Sequence, residues 1–143
     1  MNTKLMLLAV MSLTYAGRVT AQSASRSFVG EWRADGSDPY GSGMTAVRIA
    51  DSSGHWSIHV WGSCLPQACD WGERPLNMLS AGVESRQPIR GFATWEHGFA
   101  TQHVIVRIDG EVLVAELYVF FRDSSGRPDY FRADRLVRGK VAG

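Results

Sequence analysis

Ala100-Thr-Gln-His-Val-Ile-Val-Arg-Ile108-Asp109-Gly110-Glu111-Val-Leu-Val-Ala-Glu-Leu-Tyr-Val-Phe-Phe121-Arg122 decides the fold class. In its first half Val104, Val106 and Ile108 alternate with His103, Ile105 and Arg107, which is the period of a β-strand. Asp109-Gly110 tolerates positive φ at both positions and marks a two-residue hairpin turn. The second half is apolar on both faces, Leu113, Ala115, Leu117, Val119 and Phe121 against Val112, Val114, Tyr118 and Phe120, with Glu116 the exception. Such a strand is expected to be the most buried, covered from both sides. Pairing Ile108 with Glu111 across the turn sets Glu116 opposite His103 and Arg107 opposite Val112. A carboxylate in so apolar a strand calls for a cation beside it, and Arg107 on the neighbouring strand is the candidate partner.

The same unit, a strand of six to ten residues and a turn, recurs on both sides. Strands are predicted at 28–34, 44–50, 55–64, 69–73, 90–96, 100–108, 111–122 and 130–137. The turns are carried by Asp51-Ser-Ser-Gly54, His97-Gly98, Asp109-Gly110 and Asp123-Ser-Ser-Gly-Arg-Pro128. Asp35-Gly-Ser-Asp-Pro-Tyr-Gly-Ser-Gly43 is a longer loop. Residues 75–88 read as an irregular strand, a short helical turn or a loop. No window holds a helical period. The expectation is an all-β chain, an antiparallel up-and-down barrel of about eight strands, preferred to a sandwich because closure removes exposed edges.

Residues 1–21 read as a signal peptide. Lys4 supplies the positive start, Leu5 to Ala16 the apolar run, and Val19-Thr20-Ala21 the small residues before a cut at Gln22; a cut after Ala24 is the alternative. The run is too short to span a bilayer. Residues 22–143 form a single β-barrel domain. Removing 1–21 takes away Lys4 and Arg18, so the basic residues fall from 15 to 13 against 14 acids, a net charge of −1. No concentrated basic face marks a nucleic-acid binder, and no span of the mature chain crosses a membrane. The expected location is secreted or periplasmic.

Trp61-Gly-Ser-Cys64-Leu-Pro-Gln-Ala-Cys69-Asp-Trp71-Gly72 holds both cysteines and two tryptophans. In an exported chain the pair forms a disulfide. It closes a short loop and contributes roughly 2 kcal/mol. If Cys64 and Cys69 are directly opposed, Gly62 faces Trp71 and Trp61 faces Gly72, each indole covering a bare glycine. Parity then puts Trp71 on the apolar side with Val60. Trp61 falls on the other side with His59, Ser63 and Asp70, a side that either lines the lumen or faces solvent.

Phe28-Val-Gly30-Glu-Trp32 resembles the Gly-x-Trp start of lipocalins and of avidin-type barrels, and that resemblance implies that Trp32 closes one end of a calycin-type barrel. The Trp61-Gly-x-Cys64-x-Pro66-x-x-Cys69-Asp70-Trp71-Gly72 segment is similar to a motif of an uncharacterised family of small secreted proteins. So is Phe121-Arg-Asp123-x-Ser125-Gly126-Arg127-x-Asp129-Tyr130. The resemblance covers most of residues 28–138. It implies a fold and a compartment, and no catalytic residues. Avidins hold biotin with polar loop groups as well as tryptophans, and that polar set has no match here.

Little in the chain points to catalysis. His55 and His59 share a strand face but lie about 13 Å apart, so they cannot share a metal ion. No Cys or His spacing suits zinc. The serines cluster in turns, Ser52-Ser53 and Ser124-Ser125, and no nucleophile elbow is present. His103 and Glu116, as predicted neighbours, are the one acid–base candidate. No cofactor and no metal is expected. The leading expectation is a barrel that binds a small apolar or aromatic molecule in its lumen, with Trp61, His59, Asp70, His103, Glu116 and Tyr118 as candidate ligand-binding residues. The alternative is a barrel that binds a secreted protein, as a protease inhibitor does; a lumen isomerase or cyclase is the remote third.

Overall fold

The computed structural model describes residues 28–36, 43–64 and 66–140. The signal-peptide segment with its cut near Ala21, and most of the loop from Asp35 to Gly43, lie outside the described residues. The strands are β1 (Gly30–Ala34), β2 (Met44–Ser52), β3 (His55–Gly62), β4 (Cys69–Pro75), β5 (Asn77–Ser80), β6 (Pro88–Glu96), β7 (Ala100–Asp109), β8 (Val112–Phe121) and β9 (Tyr130–Arg138). They form one antiparallel sheet in the order β4-β3-β2-β1-β9-β8-β7-β6-β5. First and last strands pair, Trp32 with Arg138 and Ala34 with Leu136, so the sheet curls into a nearly closed up-and-down barrel.

Eight of the nine strands are the expected ones; the added strand, β5, lies in residues 75–88, where an irregular strand, a helical turn or a loop was expected. The chain bends at Leu76, which is buried and donates its N–H to the Trp56 carbonyl at 2.9 Å. Before the bend β4 pairs with β3; after it β5 pairs with β6. One interrupted strand therefore serves both flanks of the seam. Gly91 on β6 makes room for it, since a Cβ there would lie 2.8 Å from Leu76 Cδ1.

Inward-facing side chains from all around the wall form one core. Trp32, Met44, Val47, Ile49, Ile58, Val60, Trp95, Val104, Val106, Leu113, Ala115, Leu117, Val119 and Leu136 all belong to it. Trp32 is 1% exposed and donates its indole N–H to the Phe28 carbonyl at 3.0 Å. The Arg138 guanidinium lies 4.1 Å from the Trp32 ring centre, next to the Gly110-Glu111 turn end of the barrel. Where β1 runs out, Asp134 bridges the wall. Its carboxylate accepts the Met44 N–H at 3.0 Å and holds the Arg132 guanidinium at 2.6 Å.

Two expected registers and one expected burial differ. The hairpin of β7 and β8 turns on Gly110-Glu111, with Asp109 paired to Val112. Gly110 has φ +63 and Glu111 has no positive φ, the Gly-first form of tight turn rather than the Asp-Gly form. Glu116 therefore stands opposite Ile105, and His103 opposite Tyr118. A shift of two residues keeps each side chain on its expected face. In the stapled hairpin Gly62 pairs with Cys69, Trp61 with Asp70 and Val60 with Gly72. A bulge at Trp71-Gly72, with Gly72 at φ +78, absorbs the extra residue. Trp71 still covers Gly62, whose Cβ would lie 2.6 Å from Trp71 Nε1, but Trp61 does not cover Gly72. The third difference is β8. Its inner side is core, but its outer side carries no second layer, and Phe120 is 42% exposed.

The disulfide Cys64–Cys69 forms, with Cα atoms 5.4 Å apart. Asp123, Arg127 and Asp129 hold the loop before β9 together. Arg127 reaches Asp123 at 2.6 Å, and Asp129 accepts the Phe121 N–H at 2.7 Å. Arg127 also lies 4.0 Å from the Phe121 ring centre, at the end of β8.

Candidate functional sites on the outer wall

All six candidate ligand-binding residues lie on the outer wall and not in the lumen; for His59, Trp61 and Asp70 this decides a face that alternation left open. The reason is parity. Ile58, Val60 and Gly62 occupy the inner face of β3, which turns His59 and Trp61 outward. Val104 and Val106 do the same for His103, and Leu117 for Glu116 and Tyr118. The six fall into two groups, separated in the sheet by β2, β1 and β9.

The first group is a chain of fixed contacts. His59 Nε2 lies 2.6 Å from Asp70 Oδ1, and the same oxygen accepts the Gly72 N–H at 2.7 Å. The Gly72 amide and, next, the His59 contact hold the Asp70 carboxyl below its ordinary value. The His59 ring stacks on Trp61, with centroids 4.0 Å apart and planes 7° from parallel. Arg48 lies 5.4 Å from the Trp61 ring and is bonded to Glu31 at 2.9 Å. The bulge at Thr45 is tied to the same place, its hydroxyl donating to the Trp61 carbonyl at 3.2 Å.

The second group belongs to a band of aromatic rings across β6–β9. His103 stacks on Phe92 at 5.5 Å and meets Phe120 edge-on at 5.7 Å; Tyr118 packs on Phe131 at 5.0 Å. Thr94 Oγ1 lies 2.9 Å from His103 Nδ1. Glu116 does not pair with His103. It takes Arg107 at 3.7 Å and the Tyr118 hydroxyl at 3.4 Å, so the expected arginine partner is present and the acid–base pair is not. Phe131 is 56% exposed. Phe120 and Phe131 together show solvent on the order of 200 Å2 of ring surface.

Below the band Arg107 and Arg135 flank Val114 on the neighbouring strands and share Asp109, at 3.6 and 3.4 Å. Their stems leave Val114 only 4% exposed although it faces outward. Sequence reading missed Phe92, Phe131 and Arg135 as members of one surface. Each has an outward parity, but only the pairing of four strands shows that they are neighbours.

Inside the barrel, one observation stands out. Trp95 is fully buried, and its indole N–H has no hydrogen-bond partner among the described residues. Its ring meets Trp71 at 6.1 Å and 75°. Among the described residues no group of three or more His, Cys, Asp or Glu is arranged to hold a metal ion. Among the described residues no helix is long and apolar enough to cross a membrane. Comparison with protein families, with curated proteins and with solved structures returns no match, so the geometry alone carries the assignment.

Proposed function

We propose that this chain is an exported binding barrel whose partner is a protein, docked on the outer wall of β6–β9. The observation that carries the reading is the contrast between core and wall. The inward positions are occupied by packed side chains, while Phe92, Tyr118, Phe120 and Phe131 form an aromatic surface with solvent on its outer side. Exposed apolar patches of this kind mark interaction sites, and aromatic residues with arginine are the usual anchors of such interfaces. Arg107 and Arg135 beside the band suit a partner with apolar side chains rimmed by carboxylates. The short disulfide and the signal-like first residues support export. Secreted proteases are the first partners to try.

The test is site-specific photocross-linking in the native compartment. A photoreactive residue at position 131 is expected to capture a discrete protein, and one at Ala50, exposed on the outer face of β2, is not. Equal patterns at 131 and 50 would sink the reading.

A second reading is favoured by Trp95. Its unpartnered buried N–H suits a small molecule with a hydrogen-bond acceptor held inside the barrel. Native mass spectrometry of the protein from its own compartment separates the two, because a retained small molecule would favour this second reading.

A further inference from the structure

A cleft of about 340 Å3 lies beside Trp61 on the opposite wall. Ala34, Ala46 and Ala68 line it with small side chains, and Arg33 and Lys140 place two cations at it. We propose that this cleft binds a small aromatic or apolar molecule bearing one anionic group, a carboxylate or a phosphate. The site is independent of the protein-binding wall.

Three observations carry the assignment. The first is charge. Arg48 nearby is neutralised by Glu31, whereas Arg33 and Lys140 form no ion pair among the described residues. Two cations at one small cleft create a local demand for an anion, and an arginine meets a carboxylate or phosphate in a bidentate way.

The second is placement. Arg33 lies across the backbone of Gly139, so closely that any Cβ there would collide with its side chain. Gly139 in turn donates its N–H to the Glu31 carbonyl at 3.1 Å, which ties the tail carrying Lys140 to β1. The glycine is needed for close approach, and it brings the two cations together.

The third is the indole. Trp61 is held in one orientation by the stacked His59, and His59 by Asp70. An aromatic surface fixed before binding loses little freedom when a ring docks on it. His59 and Asp70 are thus positioning residues for the cleft. The volume falls within the range of small-molecule sites, roughly 300–1,000 Å3.

The experiment is amide NMR titration of the full mature chain with phenylacetate, phenyl phosphate, phenylacetamide and acetate. Saturable shifts are expected at Arg33, Thr45, Ala46, the Trp61 indole and Lys140 with phenylacetate or phenyl phosphate, and the tighter of the two names the anionic group. Phenylacetamide lacks the charge and acetate lacks the ring, so each should bind about tenfold more weakly or worse. Lys140→Gln lies beyond the last strand and should keep the fold while weakening the anionic probes severalfold. His59→Ala should weaken phenylacetate and leave acetate unchanged. Absence of saturable shifts, acetate as tight as phenylacetate, or a Lys140→Gln protein indistinguishable from wild type would each overturn the proposal.

Discussion

On the outer side of β1–β4, polar groups are matched at short range: Arg48 with Glu31, His59 with Asp70, and Asp70 with the Gly72 amide. On the outer side of β6–β9, rings meet rings, and the ion pairs of Arg107 and Arg135 are long, at 3.4 to 3.7 Å. Both walls are packed on one core. The difference teaches that strand alternation alone does not make an outer face polar. Where the outward positions are aromatic, the wall gains little by facing water and more by facing a partner. Where two bulges and a disulfide shape the wall, the gain is a small, rigid, charged cleft.

The largest effect should come from the seam that joins the walls. Leu76→Ala removes the buried side chain at the bend between β4 and β5 and leaves a cavity against Gly91. The expected loss is about 3 kcal/mol in denaturant unfolding. Amide protection should fall at both ends of the seam, in β4 and in β6. Loosening confined to one wall would mean that the walls are coupled elsewhere.

A smaller effect should separate the walls. Cys64→Ser with Cys69→Ser should cost roughly 2 kcal/mol, because the loop it closes is short. Hydrogen exchange should quicken in β3 and β4 and stay unchanged in β7 and β8. Equal changes on both walls would show that the staple acts on the whole barrel.

The smallest effect is electrostatic and belongs to the polar wall alone. Asp70 is held below its ordinary value of 3.8, first by the Gly72 amide and then by His59. A depressed folded value adds stability above the unfolded value, and that increment is lost as pH falls through the folded one. A carboxyl NMR titration should place the Asp70 midpoint below 3.8. In His59→Gln it should rise and still stay below the ordinary value, since the Gly72 amide remains. A full return to the ordinary value would make His59 the main cause.

Much of the architecture was legible in residues. Turn chemistry at Asp51–Gly54, Gly110 and Asp123–Pro128 marked the hairpins, and alternation sorted each strand into two faces. The disulfide and the inward position of Trp71 followed as well. The split at Leu76 was left open because nothing in Arg74-Pro75-Leu76-Asn77 says that a strand will change partner. The registers slipped where a single residue decides them, at the Gly110-Glu111 turn and the Trp71-Gly72 bulge.

Alternation grouped the candidate residues by face but did not say which face turns inward, and the structure puts these faces on the outer wall. Arg33 and Lys140 carried no signal at all. They stand far apart in sequence and meet only because the last strand pairs with the first.

By itself the chain determined its strands, its turns and, within each strand, which side chains go together, because backbone geometry fixes a period of two. Tertiary structure decided which of the two faces became the core and which strands became neighbours. Burial is a competition among all the faces at once, and no strand can settle it alone.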